Sequence, residues 1–327
     1  MTLISVEFAL FWLVTALLYF VFPLKHRWTV LLGSSLLFYF FGGIGTGYFM
    51  LLTVAVVYVT GLMLDKHNNA HKDYLKNHPE MTRDEKKALK QKVQKKKRLI
   101  LSAGLTVSFA FLVFLKYFNF LSEQTFSLFS LFGIQGTAPK IDLALPLGIS
   151  FYTLQATSYI VDIYRGKLAA EKNIAKMTLF VSFFPQIIQG PIGRFGHMAP
   201  QLFEGHRFDF REAKFGAQLF LWGLIKKLTL AEYMGIIADE VFGNYTEYKG
   251  LIILLGSMVY GVQVYADFSG GMDMISGVAQ VFGIKMAVNF ERPYFARSVS
   301  EFWRRWHITL GAWMRDYVFY PLSLSKA

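Results

Sequence analysis

Residues 1–28 read MTLISVEFALFWLVTALLYFVFPLKHRW. Between Leu3 and Leu24 the one formal charge is Glu7, and the run stops at the basic cluster Lys25-His26-Arg27. Its length matches the ~20 apolar residues that a bilayer core demands of a helix. No basic region precedes it and no small-x-small site follows it, so it reads as a retained membrane helix with Glu7 at headgroup depth. Taking this first span as 4–24, two more fit at 28–42 and 47–64, with Phe41-Gly-Gly-Ile-Gly-Thr-Gly47 as the turn between them. The alternating glycines of that turn are not a dinucleotide fingerprint, because no βαβ unit surrounds them.

The composition of the whole chain agrees. Of 327 residues, 54% are hydrophobic, 17% aromatic and 17% charged, where a soluble domain carries about 25% charged residues. The mean hydropathy is +0.37. A single polytopic membrane domain over 1–327 fits better than two soluble ones. Cysteine is absent, which excludes disulfides, thiolate zinc sites and acyl-cysteine intermediates. Chemistry must fall to His, Ser, Tyr or carboxylates.

The net charge of +12 is localised, because residues 65–98 hold 12 Lys/Arg against 5 Asp/Glu. A basic hydrophilic loop in a hydrophobic chain marks the cytoplasmic side. Three spans before it put the N-terminus outside and Lys25, His26 and Arg27 inside, with the loop. Nucleic-acid binding would want basic residues interleaved with stacking aromatics, and Tyr74 is the one aromatic of the loop. No nucleic-acid partner is expected; the bilayer is.

Further apolar segments run at about 99–115, 117–133, 143–161, 174–192, 213–231, 251–266, 272–288 and 302–322. Several are short or broken by Gly, Pro or charge, which membranes tolerate only where backbone is buried or lines a wet cavity. Residues 99–327 therefore read as the part that builds a site. HExxH, GxxxxGK[ST] and GxSxG are all missing. His67 and His71 have metal-ligand spacing but lie in the solvated loop without a third ligand, so no metal site is expected. His26, His78, His197 and His206 read as interfacial.

His307 differs. It lies in Ser300-Glu-Phe-Trp-Arg-Arg-Trp-His-Ile-Thr-Leu-Gly-Ala-Trp-Met-Arg-Asp316, a run compatible with one helix. On that helix Trp303, Arg304, Gly311 and Met314 would share its face. A guanidinium beside the imidazole disfavours its charged form and leaves a neutral base. Upstream, Asp267 and Asp273 stand in an apolar segment, where acids are functional hypotheses by default. Gly270 and Gly271 between them would loosen the helix. Asn289, Glu291, Arg292, Arg297, Arg304 and Arg305 follow as prospective partners. These polar residues read either as a brace for broken helices or as the lining of a substrate passage.

Three segments carry a resemblance: Phe184-Pro-Gln-Ile-Ile-Gln-Gly-Pro-Ile-Gly-Arg194, Asp267-Phe-Ser-Gly-Gly-Met-Asp273, and Glu301-Phe-Trp-Arg-Arg-Trp-His-Ile-Thr-Leu310 with Trp313-Met-Arg-Asp-Tyr317. From about residue 100 to 323 the chain resembles the bacterial membrane-bound O-acyltransferases, in the subgroups that O-acetylate alginate-type polysaccharides and D-alanylate teichoic acid. The resemblance implies an all-α polytopic protein, a ring of transmembrane helices with broken or re-entrant pieces around a central funnel. It implies transfer of an acyl group, acetyl first and D-alanyl second, from a cytoplasmic thioester to hydroxyls of an extracytoplasmic cell-envelope polymer. The donor would be acyl-CoA or a phosphopantetheinyl carrier protein, with no permanently bound cofactor. Expected partners are that carrier on the cytoplasmic side and the polymer acceptor or a partner acyltransferase. The basic loop itself reads first as a topology determinant, with contact to an acidic carrier as the alternative. The setting implied is the bacterial plasma membrane.

His307 matches the family's first important histidine. Trp303, Arg304, Asp267, Asp273, Asn289 and Asp316 are then expected to support the substrate passage. The family's second histidine, in a later Trp-His-Gly segment and taken as the family's catalytic base, has no counterpart, since no histidine follows His307, which would then mark half a site. On this reading the chain corresponds to the first two-thirds of such an enzyme, as a fragment or a truncated product. A transporter and a non-catalytic membrane scaffold are the competing classes. The transporter predicts inverted halves with matching breaks, whereas the polar breaks lie in the second half alone.

Overall fold

The computed structural model describes residues 2–41, 43–132, 136–141 and 146–324, and its regular elements are all helical. Gly42 of the first turn, Gly133, residues 143–145 and the last three residues, all touched by the readings above, lie outside the described residues. The helices are α1 (Val6–Val21), α2 (Arg27–Phe41), α3 (Ile44–Asn77), α4 (Arg83–Leu131), α5 (Ile149–Tyr164), α6 (Ile174–Ser182), α7 (Phe184–Gln189) and α8 (Phe195–Phe203). After them come α9 (Phe210–Ile225), α10 (Glu232–Gly243), α11 (Leu251–Val281), α12 (Val299–Arg305), α13 (Ile308–Met314) and α14 (Tyr320–Ser323). Three stretches are long and apolar enough to cross a bilayer: Gly47–Asn77, Arg83–Leu131 and Leu251–Val281. The chain is an all-α membrane protein.

Residues 65–98 are not a loop. Helix α3 continues to Asn77 and α4 begins at Arg83, so the basic stretch is the tip of a helical hairpin. Its Lys, Glu, Gln, Ala and Leu are strong helix formers, and an exposed helix keeps their charges in water. Pro79 stops α3, because it disfavours helical backbone at the residue before it. Thr82 restarts the chain through a capping box with Glu85: the Glu85 amide donates to Thr82 Oγ1 at 3.3 Å, and the Thr82 amide donates to Glu85 Oε2 at 2.8 Å. Segments 99–115 and 117–133 are likewise one helix, the 49-residue α4, for Lys116 alone does not break it.

The described residues group into two compact units. In the unit of residues 35–182 and 194–196, α3, α4 and α6 pack around α5. Eleven of the sixteen residues of α5 are buried, among them Tyr152, Ala156, Tyr159 and Ile160. Gln155 inside it donates to the Phe180 carbonyl at 2.6 Å, which satisfies a buried amide.

The other unit holds residues 1–34, 183–193 and 197–327. Its spine is the pair α9 and α11. Segments 251–266 and 272–288 were expected apart, yet α11 runs through Gly270 and Gly271 and ends at Phe282-Gly283, where Gly283 takes φ +81°. Those glycines are contact points. A Cβ on Gly223 would lie 2.4 Å from the Gly270 carbonyl oxygen, and one on Gly277 would lie 2.4 Å from that of Gly216. Small residues let membrane helices approach backbone to backbone, which substitutes for the missing hydrophobic drive between helices in lipid. Between α9 and α10 the chain passes through a π-helical turn, Lys226–Ala231. Helix α1 joins this unit through Phe8 and Phe11, which meet Phe184 edge-on, and through Tyr19 against Phe282.

Candidate active site

Beyond Gly283 the chain is non-helical to Arg292, and it hooks onto the expected helix Ser300–Asp316. That helix is broken. Helices α12 and α13 have seven residues each, and Trp306 and His307 separate them. Two backbone bonds hold the break open: Glu291 N donates to Arg305 O at 2.9 Å, and Ile308 N donates to Asn289 O at 3.0 Å. His307 itself takes φ +46°, ψ +52°. The left-handed region is unfavourable for residues with a Cβ, although His is among the more tolerant. Such a conformation persists only where its surroundings over-determine it, as they do at functional sites.

The side chain of Asn289 organises the break. It is buried at 4% exposure. Its Oδ1 accepts from Thr309 N at 2.9 Å and from Thr309 Oγ1 at 2.9 Å, and stands 3.3 Å from His307 Nδ1. A backbone N–H can only donate, so the atom facing it is the amide oxygen. The imidazole nitrogen opposite that oxygen must then carry the proton. In the neutral ring Nε2 keeps a free lone pair, which is what a general base requires. Asn289 Nδ2 points to Met272 Sδ at 3.5 Å on α11.

Phe268 meets the His307 ring edge-on at 4.9 Å, and Phe290 lies 6.5 Å away. The seven-residue helices that flank the histidine are each far short of a bilayer span. Burial holds the imidazole below its ordinary value of 6.5. The expected cause was a neighbouring guanidinium, and burial replaces it: the break ends the shared helical face, Arg304 is exposed and Trp303 is 60% exposed.

All three motif segments converge here. Ile192 N donates to Thr309 Oγ1 at 3.2 Å, which ties the Phe184–Gly193 stretch to the break. Gln189 lies on Gly271, where a Cβ would fall 2.2 Å from Gln189 Oε1. Asp267 and Asp273 find partners that sequence reasoning missed. Lys226 Nζ is 2.5 Å from Asp273 Oδ2 and 3.1 Å from Ser269 Oγ, and Lys227 pairs with Asp267. Both lysines come from the π-helical turn. Their signal in the sequence was a Lys-Lys pair inside an apolar segment, where intramembrane charge needs an explanation. The arginines expected to serve these acids work elsewhere or stand exposed. Arg305 pairs with Glu301 at 2.6 Å, and Arg297 N donates to Glu301 Oε2 at 2.8 Å. Asp316 sits in a second π-helical turn, Arg315–Phe319, bonded to Arg315 at 2.9 Å. His206 is structural: its amide donates to Tyr19 Oη at 3.1 Å, and its carbonyl accepts from Arg27.

A cavity of about 440 Å³ opens beside Asn289, with Met272, Asp273, Leu219 and Phe290 in its wall. The arrangement is a neutral, tautomer-fixed histidine at a helix break, next to a chamber within an all-α membrane unit. The model of the membrane-bound O-acyltransferase family matches residues 170–327. Over those residues the chain is a member of that family. It is 37% identical over 222 residues to the probable alginate O-acetylase of Pseudomonas putida, covering 67% of this chain and 45% of that protein. With the peptidoglycan O-acetyltransferase of Helicobacter pylori it shares 33% over 253 residues, 69% of this chain and 47% of the relative. With the teichoic acid D-alanyltransferase of Streptococcus thermophilus it shares 31% over 197 residues, 58% and 46% respectively. The chain spans about half the length of the curated relatives it matches.

Proposed function

We propose that this protein transfers an acyl group, acetyl in the first instance, from a thioester to a hydroxyl of a cell-envelope polysaccharide, with His307 as the base. The observation that carries the reading is the hydrogen bond between His307 Nδ1 and Asn289 Oδ1, which leaves Nε2 free to take a proton. In the transfer the hydroxyl oxygen bonds to the acyl carbon and the C–S bond breaks. The hydroxyl proton passes through Nε2 to the departing thiolate, so no cysteine is needed. The names of the Pseudomonas and Helicobacter relatives support acetyl and polysaccharide. D-alanyl transfer to teichoic acid is the second reading, supported by the Streptococcus relative.

The donor on this reading is acyl-CoA or an acylated phosphopantetheinyl carrier on the cytoplasmic side, and the acceptor lies across the membrane. The basic tip between α3 and α4 then faces the cytoplasm, by the excess of Lys and Arg. The test is His307→Ala in the protein expressed from its own gene, with O-acyl ester in the envelope as readout. General-base catalysis is worth about 10²–10⁴-fold, so ester should fall to background while membrane insertion is unchanged. Full ester content in the variant would overturn the assignment.

A further inference from the structure

We infer that Lys226 is a charge filter: paired with Asp273 in the wall of the cavity beside Asn289, it confines the acyl group to one without an ammonium. The inference rests on the acyl-transfer reading and specifies its substrate. Among the described lining residues, Asp273 and Lys285 are the charged ones. The Asp273 carboxylate is committed to Lys226 at 2.5 Å, and Lys285 is held by Glu212 at 3.1 Å. The Lys226 side chain is 16% exposed, so its ammonium is fixed against α11 and not spread into solvent. The remaining wall is mostly apolar, with Phe215, Leu219, Met272 and Phe290 in it.

The π-helical turn sets this up. Two consecutive lysines reach two acids six positions apart on α11, Lys226 to Asp273 and Lys227 to Asp267. π-Turns inside α-helices are rare and concentrate at functional sites. A D-alanyl group differs from a propionyl group by one ammonium in place of a hydrogen. An ammonium entering the cavity loses water and needs a carboxylate in return. The carboxylate in the wall is already neutralised by Lys226, and the Glu212 carboxylate reached from the wall is engaged by both Lys285 and Gln280. A neutral acyl group meets the Met272 and Phe290 surfaces instead and loses little. Lys226 takes no part in the bond changes; it sets which acyl group reaches His307.

The test uses the N-acetylcysteamine thioesters of propionic acid and D-alanine, which carry the thiol end shared by coenzyme A and phosphopantetheine. Thiol release and ester on envelope polysaccharide are measured with the full protein in membranes. Propionyl transfer should exceed D-alanyl transfer by about tenfold or more, and Lys226→Met, which frees the Asp273 carboxylate, should narrow that ratio about tenfold. The double variant Lys226→Met/Asp273→Asn removes both charges and should restore the preference. Equal transfer of both groups by the parent protein overturns the filter. So does an unchanged ratio in Lys226→Met, or a double variant that alanylates as readily as the single one. Where Lys226→Met fails to fold, the parent ratio and the double variant still decide. Transfer of neither thioester by the parent sinks the acyl-transfer reading, and the filter with it.

Discussion

Helix α11 contains five glycines and runs unbroken for 31 residues. Residues 299–314 contain one glycine and break at His307. The usual local cause of a break, glycine's freedom, is therefore on the wrong side of the comparison. In α11 the glycines at 270 and 277 face the backbone of α9, and close packing keeps them helical. At His307 two backbone bonds from 289–291, together with the Asn289 side chain, outcompete the helix the sequence would otherwise form. Contacts from distant residues decide both outcomes.

The largest effect that would break this comparison belongs to Gly277→Ala. Alanine is the better helix former by about 1 kcal/mol, yet its Cβ would meet the Gly216 carbonyl oxygen at 2.4 Å. Overpacking costs about 1–3 kcal/mol, so the variant should unfold at lower temperature in detergent. A rise in melting temperature would refute the packing role.

Next is Asn289→Ala. It leaves the half-buried Thr309 N and Oγ1 without their acceptor, at about 1–2 kcal/mol, and releases the His307 ring. Envelope ester should drop further than the stability loss alone explains, and retention of normal ester would show that the tautomer is set elsewhere.

The third is pH. Because burial depresses the imidazole, the base stays neutral at pH 7, and the acyl-transfer rate should fall only below the ordinary value of 6.5. The unfolded chain takes up the proton first, so this part of the stability is complete above 6.5 and is lost as pH falls. A rate that begins to drop above pH 7 would contradict a half-buried, neutral base.

The smallest is Gly261→Ala on the same α11. Its Cβ would meet Tyr294 Oη at an ordinary 3.4 Å, so helix propensity should act alone and stabilise by up to about 1 kcal/mol. Destabilisation there as large as at Gly277 would show that α11 simply rejects side chains.

Much of the molecule was legible without coordinates. The helical class follows from apolar runs of bilayer length, because in lipid a helix satisfies its own backbone. His307, Asn289 and the two aspartates could be picked out because polar groups in such runs are costly. The sequence itself also places the charge excess in residues 65–98. That this stretch is helix and not loop was available in principle from its Lys, Glu and Gln content, but hydrophilicity masked it. Only the tertiary structure decided where the helices break, that Lys226 and Lys227 serve Asp273 and Asp267, and that Asn289 orients the His307 ring. Local sequence encodes helix propensity, worth fractions of a kcal/mol per residue, and the apolar pattern that drives burial. The break at His307 instead depends on hydrogen bonds between residues fourteen or more positions apart, whose partners no local pattern names.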